Sequence, residues 1–388
     1  MTVATTCRWK WLVAGLVLSP ALAIAHSSCD LERPATGCDI ATLDRTLHMN
    51  QLQAIGTHNS YKQAMPPEEW AAHHARDPRG AEGLDYAHPP LDVQLNRGAR
   101  TLELDVYYDP QGGRYAHPPG ALRKGYATSP WPAGVAADMG KPGFKVMHLA
   151  DIDFRSSCQV FVDCLRIIRR WSLDHPRHVP IMLLLNAKDG HGGPGAVDPL
   201  PFTAAAFDAM DTEIRSVFAP NELIVPDDVQ GKRSTLRDAV LAGQWPTLGS
   251  ARGKVFFVLD EDAAKVATYR GARHSLEGRV AFVNTDEQSP AAAYLTLNDP
   301  LAEGERIRRD VDAGYMVRTR ADADTREARR NDTSRREAAF ASGAQYVSTD
   351  YMVPDARLGA YRVTLPDAAV ARCTPRLKAA ARSPQGHP

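Results

Sequence analysis

The chain has 388 residues, with 46 basic and 46 acidic side chains and a formal net charge of zero. That balance excludes a general nucleic-acid binder, which carries a basic excess or a basic stripe, and leaves any anionic ligand to be held by local charge. The length accommodates one large barrel or two ordinary domains, and no Ser/Gly linker or internal repeat forces a division.

The first element is a leader. Arg8 and Lys10 precede an apolar run from Trp11 to Ile24, and Ala23-Ile24-Ala25 supplies a small-residue cleavage pattern. This predicts a signal peptide over residues 1–25, cut after Ala25, and hence a secreted or periplasmic protein. Five of the six cysteines follow it: Cys29, Cys38, Cys158, Cys164 and Cys373. In an oxidising compartment the close pairs Cys29/Cys38 and Cys158/Cys164 are natural disulfides, each closing a short loop. Cys373 is left over, either free or paired with the N-terminal segment instead. No Cys-x-x-Cys or His-x-x-x-His cluster supplies tetrahedral zinc ligands.

Short apolar or β-branched runs then alternate with longer helical or loop segments, the rhythm of parallel strands with crossover helices. Predicted strands are Leu52–Gly56, Thr101–Tyr107, Lys145–His148, Ile181–Asn186, Lys254–Leu259, Val280–Asn284, Tyr315–Arg318 and Tyr346–Thr349. Helical patterns cover Gln159–Leu173, Pro201–Phe218, Leu301–Ala313 and Asp324–Ala341. Eight strands in this arrangement predict a distorted (β/α)8 TIM-type barrel over residues 26–372 as a single catalytic domain. An open doubly wound sheet is the alternative, but no Gly-x-Gly-x-x-Gly follows the first strand. Residues 373–388 are basic and poor in apolar side chains, which predicts a disordered tail.

Two long connections, Asp109–Gly143 and Lys188–Pro201, leave strands at the C-terminal end of the barrel, where active sites are built. Trp70, His73 and His74 after the first strand and Tyr126, Trp131 and Pro132 in the second loop offer amphipathic rings for a lipid interface, though such residues more often pack their own loop.

Polar residues interrupt the strand pattern at the ends of several successive strands. Gly56-Thr57-His58-Asn59-Ser60-Tyr61 ends the first, and Asn59 offers a neutral amide oxygen suited to a hard cation. In Glu103-Leu104-Asp105 the two carboxylates point to one side of the strand and Leu102, Leu104 and Val106 to the other. Two carboxylates converging in a barrel interior repel unless a cation or proton lies between them. His148 follows another apolar run in Val146-Met147-His148. Leu185-Asn186-Ala187-Lys188-Asp189 closes the next strand, with Asn186 a possible metal oxygen and Lys188 placed to meet phosphate. Asp322, Asp324, Asp332 and Asp350 near the last strands read as solvated or salt-bridged.

This constellation resembles the phosphatidylinositol-specific phospholipases C, in particular their secreted bacterial calcium-dependent branch. The resemblance runs in order from about Gln53 to Asp189, more weakly through Tyr351. It implies cleavage on the glycerol side of an inositol phosphodiester, giving diacylglycerol and an inositol (cyclic) phosphate. His58 and His148 are then the acid/base pair, with Ca²⁺ held by Asn59, Glu103 and Asp105. Asn186 falls where eukaryotic calcium-dependent members carry glutamate. The chemistry agrees: the ring hydroxyl beside the phosphorus is the nucleophile, so a base, an acid and charge neutralisation suffice. Lys188 and Arg318 are the candidates for the remaining phosphoryl oxygens. Hard oxygen ligands favour calcium over zinc.

The implied partner is a phosphatidylinositol-type lipid at a membrane surface, with no nucleic acid and no obligate protein partner. Glycerophosphodiester phosphodiesterases share a barrel, a first-strand histidine and a Glu-x-Asp, but carry His-Arg-Gly where this chain has His58-Asn59-Ser60. A barrel that binds inositol lipids without turnover would lose an acid/base residue, whereas both histidines are present.

Overall fold

The computed structural model describes residues 29–34, 38–122, 131, 134–191 and 195–376. The predicted signal peptide, the tail beyond residue 376, Tyr126 and Pro132 lie outside the described residues. Eight parallel strands build the molecule: β1 (Leu52–Thr57), β2 (Thr101–Tyr107), β4 (Ile181–Ala187), β5 (Val255–Leu259), β6 (Ala281–Val283), β7 (Tyr294–Thr296), β8 (Met316–Arg320) and β9 (Tyr346–Thr349). Their order is β6-β5-β4-β2-β1-β9-β8-β7. A parallel bridge from Asn284 to Tyr294 joins the two ends, so the sheet closes on itself as a distorted (β/α)8 barrel.

Strands buried on both faces read as continuous apolar runs, and Ile181–Leu185 of β4 is one, every residue buried. The helix Phe161–Asp174 covers the outside with a stripe of Phe161, Cys164, Leu165, Ile168 and Trp171. On β2 the pleat divides the side chains as expected. Leu102, Leu104 and Val106 join the core with Phe161 and Leu165, while Glu103 and Asp105 face the polar interior. Gly56 is required where β1 meets β2, because a Cβ there would lie 1.8 Å from the carbonyl oxygen of Thr101.

Four expectations change. The predicted strand Lys145–His148 shrinks to β3 (Lys145–Val146), which pairs antiparallel with the end of β2 and is not a barrel stave. The missing stave is β7, hidden in Ala291-Ala292-Ala293-Tyr294-Leu295-Thr296, where alanines mask a strand of three residues. The predicted helix Asp324–Ala341 is two helices, Arg326–Arg330 and Ser334–Ser342, divided at Asn331 in the left-handed conformation (φ 51°). Cys373 ends an ordered strand, β10 (Ala371–Cys373), which pairs antiparallel with β1, so the described fold continues past the predicted tail boundary.

Both expected disulfides, Cys29–Cys38 and Cys158–Cys164, are present. Cys373 is free and buried, its thiol pushed up to about 11 by burial. Trp131 is buried against Phe154 and donates to the Ala116 carbonyl, and Trp70 stacks on His74, so both pack their own loops. Among the described residues no helix is long and apolar enough to cross a membrane.

Candidate active site

The chain turns sharply after β1. Asn59 takes a positive φ of 46°, and Ser60 ties the turn to β2 by donating its N–H to the Glu103 carbonyl (3.0 Å) while its hydroxyl accepts from the Glu103 N–H (2.8 Å). The turn presents His58. Its Nδ1 meets Asp350 Oδ1 at 2.9 Å, at the end of β9. A carboxylate can only accept, so Nδ1 carries the proton and Nε2 is the acceptor nitrogen. Arg320 spans the pair, with Nη2 3.1 Å from Asp350 Oδ2 and Nη1 3.4 Å from His58 Nε2. Burial and then the Arg320 charge lower the His58 pKa to about 3, so the imidazole is neutral at physiological pH. Asp350 stays below the usual carboxylate range: burial opposes this, but the hydrogen-bonded His58 and Arg320 outweigh it. Behind the turn, His88 bonds the His58 carbonyl at 2.9 Å, its own pKa lowered to about 4 mainly by burial.

His148 follows β3 and is held the same way. Its Nδ1 is 2.9 Å from Asp153 Oδ2, and buried Lys62 lies 3.2 Å from Asp153 Oδ1. The Met147 N–H bonds the Asp105 carbonyl (3.3 Å), and the Tyr107 hydroxyl donates to the His148 carbonyl (3.0 Å), which fixes the arm against β2.

Inside the barrel, Asn186 Nδ2 donates to Glu103 Oε1 and to Asp105 Oδ1, 3.1 Å each. The outer carboxylate oxygens meet cations: Arg318 Nη2 at 2.6 Å from Glu103 and Lys188 Nζ at 3.2 Å from Asp105. Burial pushes Glu103 up to about 7, with Arg318 pulling it down and Asp105 pushing it further up. His58 links this cluster to the mouth, its Nε2 3.7 Å from Glu103 Oε1. Asn59 lies beside it, donating to the Tyr86 hydroxyl (2.8 Å) and accepting from Tyr61 (3.3 Å).

A cleft of about 650 Å³ opens above, lined by His58, His148, Tyr86, Arg320 and Asp350 among others. The two histidines, far apart in sequence, thus share one cavity, and Glu103, 3.7 Å from His58, connects it to Asp105, Asn186 and Lys188. Arg318 does not fit the role expected from sequence. It is 2% exposed and each of its three nitrogens donates to protein oxygen, on Ser348, Asn298 and Glu103. Arg320, one pleat further along β8, lines the cleft instead. Asp350 and Asp322, read from sequence as solvated or salt-bridged, are both buried, and Asp350 is salt-bridged to Arg320. Asp350 and Asp153 are the residues sequence reasoning missed. The available signal for Asp350 was its place directly after Tyr346-Val347-Ser348-Thr349, the strand-end position that had singled out His58.

The model of the family described as "Phosphoinositide phospholipase C, Ca2+-dependent" matches residues 47–375. This chain belongs to that family. As a calcium-dependent phosphoinositide phospholipase C it is a phosphodiesterase-type enzyme, and its barrel is similar to solved members. The calcium-dependent phosphoinositol-specific phospholipase C of a Gram-negative Pseudomonas species aligns with a TM-score of 0.51 at 16% identity, covering 85% of this chain and 96% of that one. The myo-inositol complex from the same organism aligns with a TM-score of 0.51 at 17% identity, over 86% and 97%. The calcium-dependent enzyme of Streptomyces antibioticus gives 0.49 at 19% identity, over 79% and 95%. No curated protein matches the chain significantly.

The family's calcium can be tested against the residues present. Among the described residues no three His, Cys, Asp or Glu side chains converge as a metal cluster. The candidate donors are the Glu103 and Asp105 carboxylates with the Asn186 amide between them, while the Asn59 amide is engaged by Tyr86 and Tyr61. Glu103 Oε1 and Asp105 Oδ1 converge on one point, the Asn186 nitrogen, and the orientation of that amide is interchangeable. Two buried, converging carboxylate oxygens fit a hard cation.

Proposed function

We propose that this phospholipase C cleaves the glycerol-side P–O bond of a phosphatidylinositol-type lipid, with His58 as general base and His148 as general acid. The observation that carries this reading is the pair of matched imidazoles in one cleft, each with Nδ1 on a buried carboxylate. His58 Nε2 takes the proton of the ring hydroxyl beside the phosphorus, and that oxygen attacks. The bond to the diacylglycerol oxygen breaks, and His148 Nε2 supplies that oxygen with a proton. The immediate products are diacylglycerol and an inositol cyclic phosphate.

Burial, and then the Arg320 charge beside Nε2, keep His58 neutral, the form in which it accepts a proton. Asn59, Glu103, Asp105 and Asn186 would hold calcium, which supplies charge neutralisation at the phosphoryl group when bound. We assign the remaining phosphoryl oxygens to Arg320, which lines the cleft, and to Lys188, which pairs with Asp105. Two disulfides support an exported protein. Leu301 (61% exposed) and Val353 (41%) follow β7 and β9 on the cleft side and suit a lipid surface.

Headgroup release from phosphatidylinositol vesicles, with calcium and with chelator, tests the reading. Calcium-dependent release of inositol phosphate is expected. Turnover of glycerophosphocholine but not phosphatidylinositol would overturn it, and full activity in chelator would remove calcium from Glu103 and Asp105.

A further inference from the structure

Asp322 lies two residues beyond Arg320, fully buried, at the point where β8 and β9 leave the barrel. Its Oδ1 accepts the main-chain N–H of Asp350 at 2.8 Å. Its Oδ2 accepts from the Thr349 hydroxyl in a short bond and from the Tyr361 hydroxyl at 3.3 Å. The Thr349 hydroxyl oxygen accepts the Tyr351 N–H at 2.8 Å, so one carboxyl group organises three consecutive residues at the end of β9. The middle one is Asp350, whose side chain holds Nδ1 of His58.

A buried aspartate at a strand end is ordinarily a local cap. This one differs in what it grips. The main chain of Asp350 sets where its carboxylate lies, and that carboxylate sets both the tautomer and the direction of the His58 ring. The two acids also divide their roles. Burial and the Asp350 charge push Asp322 up to about 7, whereas Asp350 is held low beside Arg320.

We infer that Asp322 is a positioning residue for the His58–Asp350 dyad, acting through the Asp350 main chain and touching no substrate. The inference rests on His58 as the base. Asp322→Asn keeps an oxygen for the Asp350 N–H; Asp322→Ala removes it.

The test combines steady-state kinetics on phosphatidylinositol vesicles with ¹⁵N NMR of the histidine rings, the second readout being independent of turnover. Asp322→Ala is expected to lower kcat about 10- to 100-fold with KM nearly unchanged, the loss typical of a supporting group behind a histidine. His58, wholly the Nδ1–H tautomer in the wild type, should become a mixture. Asp322→Asn should recover most of kcat and the single tautomer. If Asp322→Ala keeps both wild-type kcat and the Nδ1–H tautomer, or if it only lowers the melting temperature, the inference is overturned. Should Asp322→Ala fail to fold, Asp322→Glu decides: a displaced carboxyl must disturb the His58 tautomer, and an undisturbed ring overturns the inference. A fully active His58→Ala enzyme would instead remove the functional reading, while the NMR result would still decide the positioning role.

Discussion

The corner that carries His58 and the arm that carries His148 repeat one device and differ in one contact. In each, Nδ1 is 2.9 Å from a buried carboxylate that pairs with a cation, half-buried Arg320 for Asp350 and buried Lys62 for Asp153. Arg320 also reaches round to Nε2 of its histidine, whereas Lys62 lies behind Asp153, against the Leu84 and Tyr86 carbonyls and over the Tyr86 ring. Burial and the Arg320 charge at the reactive nitrogen both disfavour imidazolium, so His58 stands unprotonated before substrate binds. On the proposed roles, the histidine with a guanidinium at its other nitrogen is the base and the one held on Asp153 is the acid.

The largest way to break the comparison is to remove either ring. His58→Ala and His148→Ala should each lower kcat by about 10² to 10⁴ on phosphatidylinositol, measured by inositol phosphate release with folding checked by circular dichroism. Removing the carboxylates is the next step down. Asp350→Asn and Asp153→Asn should each cost about 10- to 100-fold in kcat, with the Asp350 variant also losing the single His58 tautomer.

Arg320→Met sharpens the contrast through pH. With that charge gone, His58 rises from about 3 towards its ordinary value of 6.5. A base works unprotonated, so the acid limb of kcat/KM should move to higher pH and activity at pH 5 should fall relative to pH 7. Lys62→Met, in the other arm, should leave that limb in place. An unmoved limb in Arg320→Met would remove the proposed asymmetry.

The smallest effect is on stability. Buried His88 has its folded pKa lowered to about 4 from 6.5, so the unfolded chain binds the extra proton within that window. Its contribution is fully present above pH 6.5 and is lost as pH falls towards 4, by up to about 1.4 kcal/mol per pH unit. His88→Gln should flatten this slope, seen as a smaller drop in urea midpoint between pH 7 and pH 5 than the wild type shows.

Much of this arrangement was legible in the chain. The apolar runs of β2, β4, β5 and β9 announced themselves, and Glu103-Leu104-Asp105 fixed a polar side by the two-residue period alone. The short β7 was not legible, because alanines carry no strand signal, and Lys145–His148 imitated a stave because a buried lysine and an apolar neighbour look alike in pattern. Within the site, His58, His148 and Asn59 stood out as polar residues ending apolar runs. Asp153 and Asp350 did not, since a lone aspartate after a strand is usually solvated and only the closed barrel brings each to its histidine. Arg318 and Arg320 both face inward by the same period. Depth alone separates them: the deeper is consumed by Glu103, Asn298 and Ser348, and the outer one reaches the cleft.

The division of labour between the two histidines can be read from a substrate whose leaving group needs no proton. With an inositol phosphodiester of nitrophenol in place of the diacylglycerol, His148→Ala should recover most of the wild-type rate, because a weakly basic oxygen departs without a general acid, while His58→Ala should remain inactive. Equal rescue of both variants, or rescue of His58→Ala alone, would contradict the assignment of His58 as base and His148 as acid.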